Sequence, residues 1–205
     1  MPLFDVAKFI QESNKIDPQP DIFGNPLPGM EPGDLLFDNQ LAAFELAKEL
    51  AELPPYPGIA KDLHRVLTRN VPFFEERNCS GRYRTHSAYL SGTEMPQHYL
   101  LPDMMQYLWF DNVEKMLKDA KQGKINKTQA AWWCHHTFEC IHPFSDGNGR
   151  TGRLLLNWFR MSCGLQPIII HYKRRYAYYD TIQIFRNKEF PLFLNQFLMR
   201  YDKEQ

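Results

Sequence analysis

The sequence His142-Pro-Phe-Ser-Asp-Gly-Asn-Gly-Arg-Thr-Gly-Arg153 is the most informative stretch of the chain. Pro143 ends the helix that is predicted before it, which leaves the histidine at the start of a turn. Gly147 and Gly149 permit close approach of the backbone, so that successive N–H groups can point into one concavity. A helix predicted to start near Arg150 adds its positive dipole end. The stretch therefore predicts an anion-binding loop between two helices.

The side chains of this stretch suit phosphate chemistry. Arg150 and Arg153 are three residues apart, so they share one helix face and can each bind phosphate oxygens with two hydrogen bonds. Asp146 offers a hard carboxylate oxygen, suited to Mg²⁺ that is held jointly with substrate phosphates. His142 titrates near neutral pH and can act as a general base. We interpret the stretch as a phosphotransfer site.

The spacing Gly147-x-Gly149-x-x-Gly152 also matches the dinucleotide-binding pattern. That pattern is meaningful only after a buried strand and with an acidic residue about 20 positions later. Here a helix is predicted before the glycines, and the next acidic residue, Asp180, lies further away. A P-loop is excluded as well, because no Lys-Ser/Thr pair follows the glycines.

Charge is unevenly distributed along a chain whose net charge is zero. The 205 residues include 24 basic and 24 acidic side chains, which argues against a general nucleic-acid or membrane-surface binder. Residues 1–70 carry 11 acidic and 6 basic side chains, whereas residues 142–205 carry 5 acidic and 10 basic ones. We interpret the cationic excess as a site for a small anion. The alternative is a solvated basic face that pairs with the acidic N-terminal part.

Composition also bears on location. No apolar run approaches the roughly 18–20 residues of a membrane span, and residues 1–15 lack the pattern of a secretory signal. The four cysteines show no disulfide-framework spacing. We therefore predict a cytoplasmic protein with reduced thiols, and delivery as a secreted effector stays open.

Apolar periodicity predicts a mainly α-helical chain, and residues 82–101 are predicted as a β-hairpin or an extended flap. Segment 17–34 holds five of the fifteen prolines and is predicted as a functional loop or a strap. The predicted division is an N-terminal helix with a Pro-rich strap at 1–38 and one domain at 39–205. Helices are predicted at 4–16, from Asn39 to Pro54, at 59–67, from Asp103 as its cap to about 123, from the cap Asn126 to 141, at 150–164, 174–187 and 191–201.

Residues His142 to Arg153 resemble the signature of the Fic family, His-Pro-Phe-x-Asp/Glu-Gly-Asn-Gly-Arg-x-x-Arg, with every fixed position filled. The similarity extends over about residues 80–200. Gly81-Arg82-Tyr83-Arg84 resembles the lead-in to the family's flap, Leu101-Pro102 resembles its exit, and Tyr178-Tyr179 resembles a tyrosine pair on a later helix. The resemblance implies a Fic fold, a helical core with a β-hairpin flap near the active site.

The family transfers AMP from ATP to a hydroxyl side chain of a target protein, so the resemblance implies a protein adenylyltransferase that acts on Ser, Thr or Tyr. It implies that His142 deprotonates the hydroxyl, that Asp146 holds Mg²⁺ and that Phe144 buries its ring. The implied nucleotide-binding residues are Gly147, Asn148, Gly149, Arg150, Thr151, Gly152, Arg153, Tyr178 and Tyr179. The implied target-docking residues of the flap are Leu90, Ser91, Gly92 and Thr93.

Several alternatives stay open within this resemblance. The related Doc toxins carry lysine at the position of Gly149 and act as kinases, so glycine favours nucleotidyl transfer. Another donor, such as UTP, GTP or CDP-choline, is the first alternative, and a low-turnover nucleotide-binding regulatory or toxin module is the second. ATP and a target protein are the expected partners. A homo-oligomer or an antitoxin partner stays open, and neither nucleic acid nor membrane is expected.

The N-terminal segment resembles a known inhibitory element. Many Fic proteins carry a Ser/Thr-x-x-x-Glu-Gly/Asn helix whose glutamate pairs with the second arginine of the signature. Ser13 to Pro18 resembles a degenerate copy, with Asp17 where glutamate is expected. We hypothesise that Ser13 and Asp17 restrain Arg153. The alternative is a helix end with an ordinary acidic residue.

A zinc site is the remaining alternative for the helix before the signature, which contains Cys134, His135, His136, Cys140 and His142. A closed site needs four converging ligands, and residues 134 and 135 project from other faces than the pair at 136 and 140. Packing is therefore the favoured interpretation.

Overall fold

The computed structural model of the chain describes residues 4–16, 31–90, 92–195 and 197. This part of the chain is mainly helical, with one two-stranded antiparallel hairpin, as predicted. The helices are α1 (Val6–Ile16), α2 (Leu35–Ala51), α3 (Ile59–Leu67), α4 (Pro72–Glu76), α5 (Leu101–Asp103), α6 (Asp111–Lys121), α7 (Lys127–Ile141), α8 (Asn148–Ser162) and α9 (Arg175–Lys188). The hairpin strands are β1 (Tyr89–Leu90) and β2 (Thr93–Glu94). A π-helical stretch, Met104–Phe110, joins α5 to α6, and short 3-10 helices cover His98–Leu100 and Tyr172–Arg174. Residues 190–195 are again helical.

Helix α8 is the central element of the fold. Every residue from Arg150 to Phe159 is buried, so neighbours surround this helix on all sides. Helices α7, α2, α3 and α1 pack around it. Trp158 and Phe159 are fully buried, and burial of each large apolar side chain contributes about 1.5–3 kcal/mol to stability. Because α8 begins where the predicted anion-binding loop ends, the loop is anchored directly to the core.

The helix boundaries follow the sequence closely at α7. The Oδ1 of Asn126 accepts hydrogen bonds from the backbone N–H of Thr128 at 2.9 Å and of Gln129 at 3.0 Å. This cap satisfies two N–H groups that have no partner within the helix. The predicted cap at Asn126 is confirmed.

Two predicted boundaries differ from the structure. Helix α2 begins at Leu35 rather than near Asn39, so its first turn contains residues that were predicted as strap. The predicted cap at Asp103 is wrong, because Asp103 already has helical dihedral angles, makes no side-chain cap bond and ends the short helix that starts at Leu101. Pro102 explains the earlier start, since proline fits the first turn of a helix.

The hairpin is much shorter than predicted. Each strand has two residues, with Tyr89 opposite Glu94 and Leu90 opposite Thr93, and most of 82–101 is irregular backbone. A hairpin this short cannot be stable alone, so its position depends on side chains that tie it to the core. Within the described residues, no helix has both the length and the apolar character to cross a membrane.

Four histidines are buried deep enough to stay neutral. Burial lowers the pKa of His64, His136 and His142 from 6.5 to about 4, and it lowers the pKa of His135 as well. Folding therefore holds four imidazoles in the uncharged form, two of them buried and two half-buried. The free energy of unfolding therefore changes with pH between about 4 and the ordinary histidine pKa of 6.5.

We expect the protein to lose stability as the pH falls from about 6.5 towards 4. In this range the unfolded chain binds protons that the folded chain excludes, and each such proton costs about 1.4 kcal/mol per pH unit. Urea unfolding followed by circular dichroism at several pH values measures this loss. His136→Gln removes one of the titrating groups and should reduce the slope, and an unfolding free energy that is constant over this range would contradict the prediction.

Candidate active site

Two left-handed residues bound the loop between α7 and α8. His142, the first residue after α7, has φ of 52°, and Gly147, directly before α8, has φ of 77°. Such a φ costs a residue with a side chain about 1–3 kcal/mol, whereas glycine adopts it freely. Pro143 cannot continue the helix, so the chain turns sharply at His142.

The side chain of Asn148 closes this loop from the inside. Its Nδ2 donates to the carbonyl of Phe144 at 2.8 Å, and its Oδ1 accepts from the N–H of Phe144 at 2.9 Å. The ring of Phe144 is fully buried, as expected. The amide group of Asn148 is therefore used by the loop itself. What remains for a phosphate is the backbone, because the N–H groups of residues 148–150 in the first turn of α8 have no acceptor within the helix.

Thr151 and Gly152, which were predicted to bind nucleotide, lie in the interior. Both are buried, and a Cβ at position 152 would overlap the carboxylate of Glu139 on α7. The absence of a side chain at 152 leaves room for the buried carboxylate of Glu139. The position of these two residues favours a packing role over contact with a ligand.

Asp146 and Arg150 stand side by side at the loop. The N–H of Gly147 donates to Oδ1 of Asp146 at 2.6 Å, and Nη2 of Arg150 lies 3.8 Å from Oδ2. The side chain of Asp146 is 29% exposed, whereas that of Arg150 is 2% exposed. The carboxylate is thus accessible to a ligand, and the guanidinium beside it is held in the core.

His142 has an environment that keeps its imidazole neutral. Its pKa is lowered to about 4, mainly by burial and further by the guanidinium groups of Arg186 and Arg84. Its carbonyl accepts a hydrogen bond from Nε of Arg84 at 2.9 Å, which fixes the backbone of the turn. A neutral imidazole at pH 7 can accept a proton, so the side chain is in the form that a general base requires.

His64 on α3 is a site residue that sequence analysis missed. Its Nδ1 accepts from the N–H of Gly81 at 2.9 Å, so Nε2 carries the proton and donates to the carbonyl of Asp146 at 3.0 Å. The ring stacks on Phe144, with 3.8 Å between centroids. His64 thereby joins the flap lead-in to the loop. The signal for His64 in the sequence is that a polar residue follows Leu63 on the apolar face of α3.

Arg84 fastens the flap to the loop. Its guanidinium is buried and donates to three carbonyls, those of His142 at 2.9 Å, His86 at 2.8 Å and Pro96 at 2.6 Å. Its backbone N–H donates to the carbonyl of Pro143 at 2.9 Å. The two ends of the hairpin are thus held at a fixed position beside His142, which explains how so short a hairpin is stable.

The predicted docking residues of the flap lie in this hairpin. Leu90 ends β1, Thr93 begins β2, and Gly92 has φ of 79° in the turn between them. Ser91 lies outside the described residues. Thr93 and Glu94 are exposed, so this strand offers a free surface beside the loop.

The first helix contacts Arg153 through Ser13. Nε of Arg153 donates to Oγ of Ser13 at 2.8 Å, and a terminal guanidinium nitrogen donates to the Ser13 carbonyl at 2.9 Å. Both residues are buried. Asp17, the other residue of the hypothesis, lies outside the described residues together with segment 17–30.

The tyrosine pair on α9 lies around the same contact. The hydroxyl of Tyr178 lies 2.9 Å from Nε2 of His135 and is hydrogen-bonded to Arg153, and burial raises its pKa. The hydroxyl of Tyr179 donates to the carbonyl of Ile16 at the end of α1. Tyr178 thus helps to fix the position of Arg153, and Tyr179 helps to hold α1 in place.

The described part of the chain contains no side-chain cluster that fits the zinc alternative. No three His, Cys, Asp or Glu side chains converge there closely enough to hold a metal ion. His136 instead contacts Oγ1 of Thr181 at 3.2 Å, and Cys134 and Cys140 are buried free thiols.

The region that contains the site is similar in sequence to a known protein family. The model of the Fic/DOC family matches residues 57–160, half of the chain, which includes α3, the flap, the loop and α8. The chain belongs to the Fic/DOC family. As a Fic/DOC protein, it is 32% identical over 123 residues to a protein of Aedes aegypti named protein adenylyltransferase Fic, and 31% identical over 124 residues to protein adenylyltransferase fic-1 of Caenorhabditis elegans. These matches cover 60% of the chain but only 23% and 22% of the two relatives.

Solved structures of Fic/DOC proteins share the fold. A Fic-domain-containing signaling protein from Bacteroides thetaiotaomicron superposes with a TM-score of 0.67 at 23% identity, covering 86% of this chain and 70% of the other. Residues 134–508 of Fic-1 from C. elegans superpose with a TM-score of 0.65 at 19% identity, covering 97% and 64%. The mainly helical fold with a flap hairpin is therefore that of Fic domains.

The role of His64 can be tested with His64→Phe. Phenylalanine retains the stacking on Phe144, but it leaves the N–H of Gly81 and the carbonyl of Asp146 without their partner. We expect the free energy of unfolding to fall by about 2–4 kcal/mol, because two buried backbone groups lose hydrogen bonds. Urea unfolding at about pH 7 measures this, with Val66→Ala on the same helix as the control. A loss no larger than that of the control would show that the two hydrogen bonds are unimportant.

Proposed function

We propose that the protein transfers the AMP part of ATP to a Ser, Thr or Tyr hydroxyl of a target protein. The observation that carries the proposal is the position of His142 at the end of α7, on the same loop as Asp146 and directly before the N–H groups of the first turn of α8. The names of the relatives support the same reaction. A binding module has no need of the base, which argues against the regulatory alternative.

The transfer follows from these groups. The imidazole of His142 accepts the proton of the target hydroxyl, and the hydroxyl oxygen forms a bond to the α-phosphorus. The bond from this phosphorus to the bridging oxygen of the β-phosphate breaks, and pyrophosphate leaves. The N–H groups of residues 148–150 and the guanidinium groups of Arg150 and Arg153 bind the phosphate oxygens and stabilise their charge.

Asp146 fits the role of a Mg²⁺ ligand. Its carboxylate is accessible, and the described residues contain no group of three or more His, Cys, Asp or Glu side chains that could hold a metal ion, so phosphates and water would supply other ligands. This ligand set is the one that Mg²⁺ prefers. When bound there, Mg²⁺ would neutralise charge on the phosphates during transfer.

We also propose that α1 restrains the enzyme. Arg153 is needed for the phosphates in the proposed reaction, yet two of its donor groups are used by Ser13. Glu12 holds α1 from the other side, because its carboxylate accepts from the N–H of Tyr172 at 2.7 Å. As long as α1 stays docked, a phosphate must compete with Ser13 for the same N–H groups.

The reaction can be tested with a panel of nucleotides labelled at the α-phosphate. With ATP, Mg²⁺ and cell lysate, we expect transfer to protein that falls by a factor of about 10² or more in His142→Ala, the typical contribution of a general base. His136→Gln, a buried histidine of α7 outside the loop, is the control. Higher transfer from UTP, GTP or CDP-choline would favour the alternative donors. Labelling that survives His142→Ala would exclude the mechanism.

The restraint can be tested with the double variant Glu12→Ala/Ser13→Ala. Loss of one charge-assisted hydrogen bond to Arg153, together with the loosening of α1, should raise the rate of transfer about tenfold. Lys8→Ala, an exposed position on the same helix, is the control. Measurement of initial rates against ATP concentration decides the question. A rate equal to or below that of the unaltered protein would contradict the restraint.

A further inference from the structure

His142, the general base of the proposed reaction, has a left-handed backbone. Its φ is 52° and its ψ is 60°. This conformation costs free energy in a residue that has a side chain, so it persists only where surrounding contacts hold it. Nδ1 of the imidazole is buried without a hydrogen-bond partner, so no bond at this nitrogen fixes the ring. The position of the ring therefore depends on the backbone of His142.

Contacts from two elements hold this backbone. On the N-terminal side, the N–H of His142 donates to the carbonyl of Phe138 in α7 at 2.9 Å. On the C-terminal side, the carbonyl of His142 accepts from Nε of Arg84 at 2.9 Å, and the carbonyl of Pro143 accepts from the backbone N–H of Arg84 at 2.9 Å. Arg84 thus binds the two consecutive carbonyls at which the chain leaves α7.

The rest of the Arg84 guanidinium binds the flap. Nη1 donates to the carbonyl of His86, which lies before β1, and Nη2 donates to the carbonyl of Pro96, which lies after β2. The guanidinium is planar and buried, so its three hydrogen bonds cannot be adjusted independently. A displacement of the hairpin is therefore transmitted to the carbonyl of His142.

We infer that Arg84 is a positioning residue for His142, which it holds in the left-handed conformation only while the flap is in place. The inference rests on the proposed function. Arg84 acts through the backbone, because the hydrogen bonds of its guanidinium within the described residues go to carbonyl groups. Once its carbonyl is released, His142 can relax to a negative φ, and the imidazole then changes its direction relative to the first turn of α8.

The charge of Arg84 also acts on His142, and this effect must be separated from the effect on position. The charged groups that face His142 are the guanidinium groups of Arg84 and of Arg186 on α9 and the carboxylate of Asp146 in the loop. Burial is the main cause of the lowered pKa of His142, and both cations add to it. Arg84→Lys retains the positive charge but not the planar fork, whereas Arg84→Gln lacks both. The two variants therefore distinguish position from charge.

The first test measures kinetics near neutral pH for the unaltered protein, Arg84→Lys, Arg84→Gln and the control Gln97→Ala. The substrates are ATP labelled at the α-phosphate, with Mg²⁺, and a peptide that carries the site which the unaltered protein labels most strongly in lysate. We expect kcat to fall about 10²-fold in Arg84→Gln, the effect of displacing a reacting group by about 1 Å, and about tenfold in Arg84→Lys. KM for ATP should stay unchanged. Gln97→Ala loses a hydrogen bond to Glu94 within the flap but no bond to His142, so its kcat should equal that of the unaltered protein.

The second test needs no reaction. Histidine labelled with ¹³C at Cα gives a separate signal for each histidine, and the signal that disappears in His142→Ala belongs to His142. Because the Cα shift depends on φ and ψ, we expect this signal to move in Arg84→Gln and to stay in place in Gln97→Ala. The thermal midpoint of each variant verifies its folding. If Arg84→Gln does not fold, Arg84→Lys, which retains the buried charge, decides both tests.

The outcomes separate this inference from the proposed function. If the unaltered protein labels nothing, the proposed function fails, and the positioning role fails with it. If labelling occurs but the Arg84 variants only raise KM for the peptide, Arg84 holds the flap alone, and the inference is overturned by itself. Full activity of Arg84→Lys beside a loss in Arg84→Gln would assign the effect to charge and overturn the inference. An unchanged His142 signal in Arg84→Gln overturns it as well.

Discussion

The close approach of α7 and α8 at Gly152 is the constraint on which the rest of the structure depends. The carboxylate of Glu139 occupies the space that a side chain at 152 would need. The packing of these two helices sets the distance between the end of α7, which carries His142, and the start of α8, which carries Arg150. The loop between them has six residues, two of them in left-handed conformations, so it cannot absorb a change in that distance. The chemistry of the site is thus set by helix packing.

Buried polar side chains hold the backbone of the site in place. His64, Arg84 and Asn148 use their polar atoms to hold backbone carbonyls and N–H groups of the loop and flap. Each of these contacts satisfies a buried polar group, which removes its desolvation cost and fixes the geometry in the same step. An exception among the described residues of the loop is Nδ1 of His142, which is buried without a hydrogen-bond partner.

Sequence reasoning predicted the parts of the protein that depend on local signals. The loop at 142–153, the helical class and the cap at Asn126 follow from residue type and spacing, and the structure agrees with them. The length of the hairpin and the start of the helix at Leu101 did not follow, because both depend on tertiary contacts. The family signature also predicted the roles of individual side chains only in part. The pattern could not reveal that the amide of Asn148 faces the loop interior.

His64 shows why some site residues escape analysis of one sequence. It lies between the apolar Leu63 and the charged Arg65, and at helical spacing it falls on the buried face of α3. Its two partners lie 17 and 82 residues away. Arg84 was noted only because a family pattern contains it, and nothing local indicates that its guanidinium binds three carbonyls. Residues that position others through long-range contacts have no periodic signal of their own.

The contact between Ser13 and Arg153 joins residues 140 positions apart, and this separation has a consequence for biosynthesis. Helix α2, against which α1 also packs, follows it directly in the chain, whereas Arg153 on α8 is made later. At about 5–20 residues per second, Ser13 waits roughly 10 to 30 s for Arg153. During that time Phe9 can already contact Phe44 of α2. The order of synthesis therefore allows α1 to pack on α2 before the contact that joins it to α8 can form.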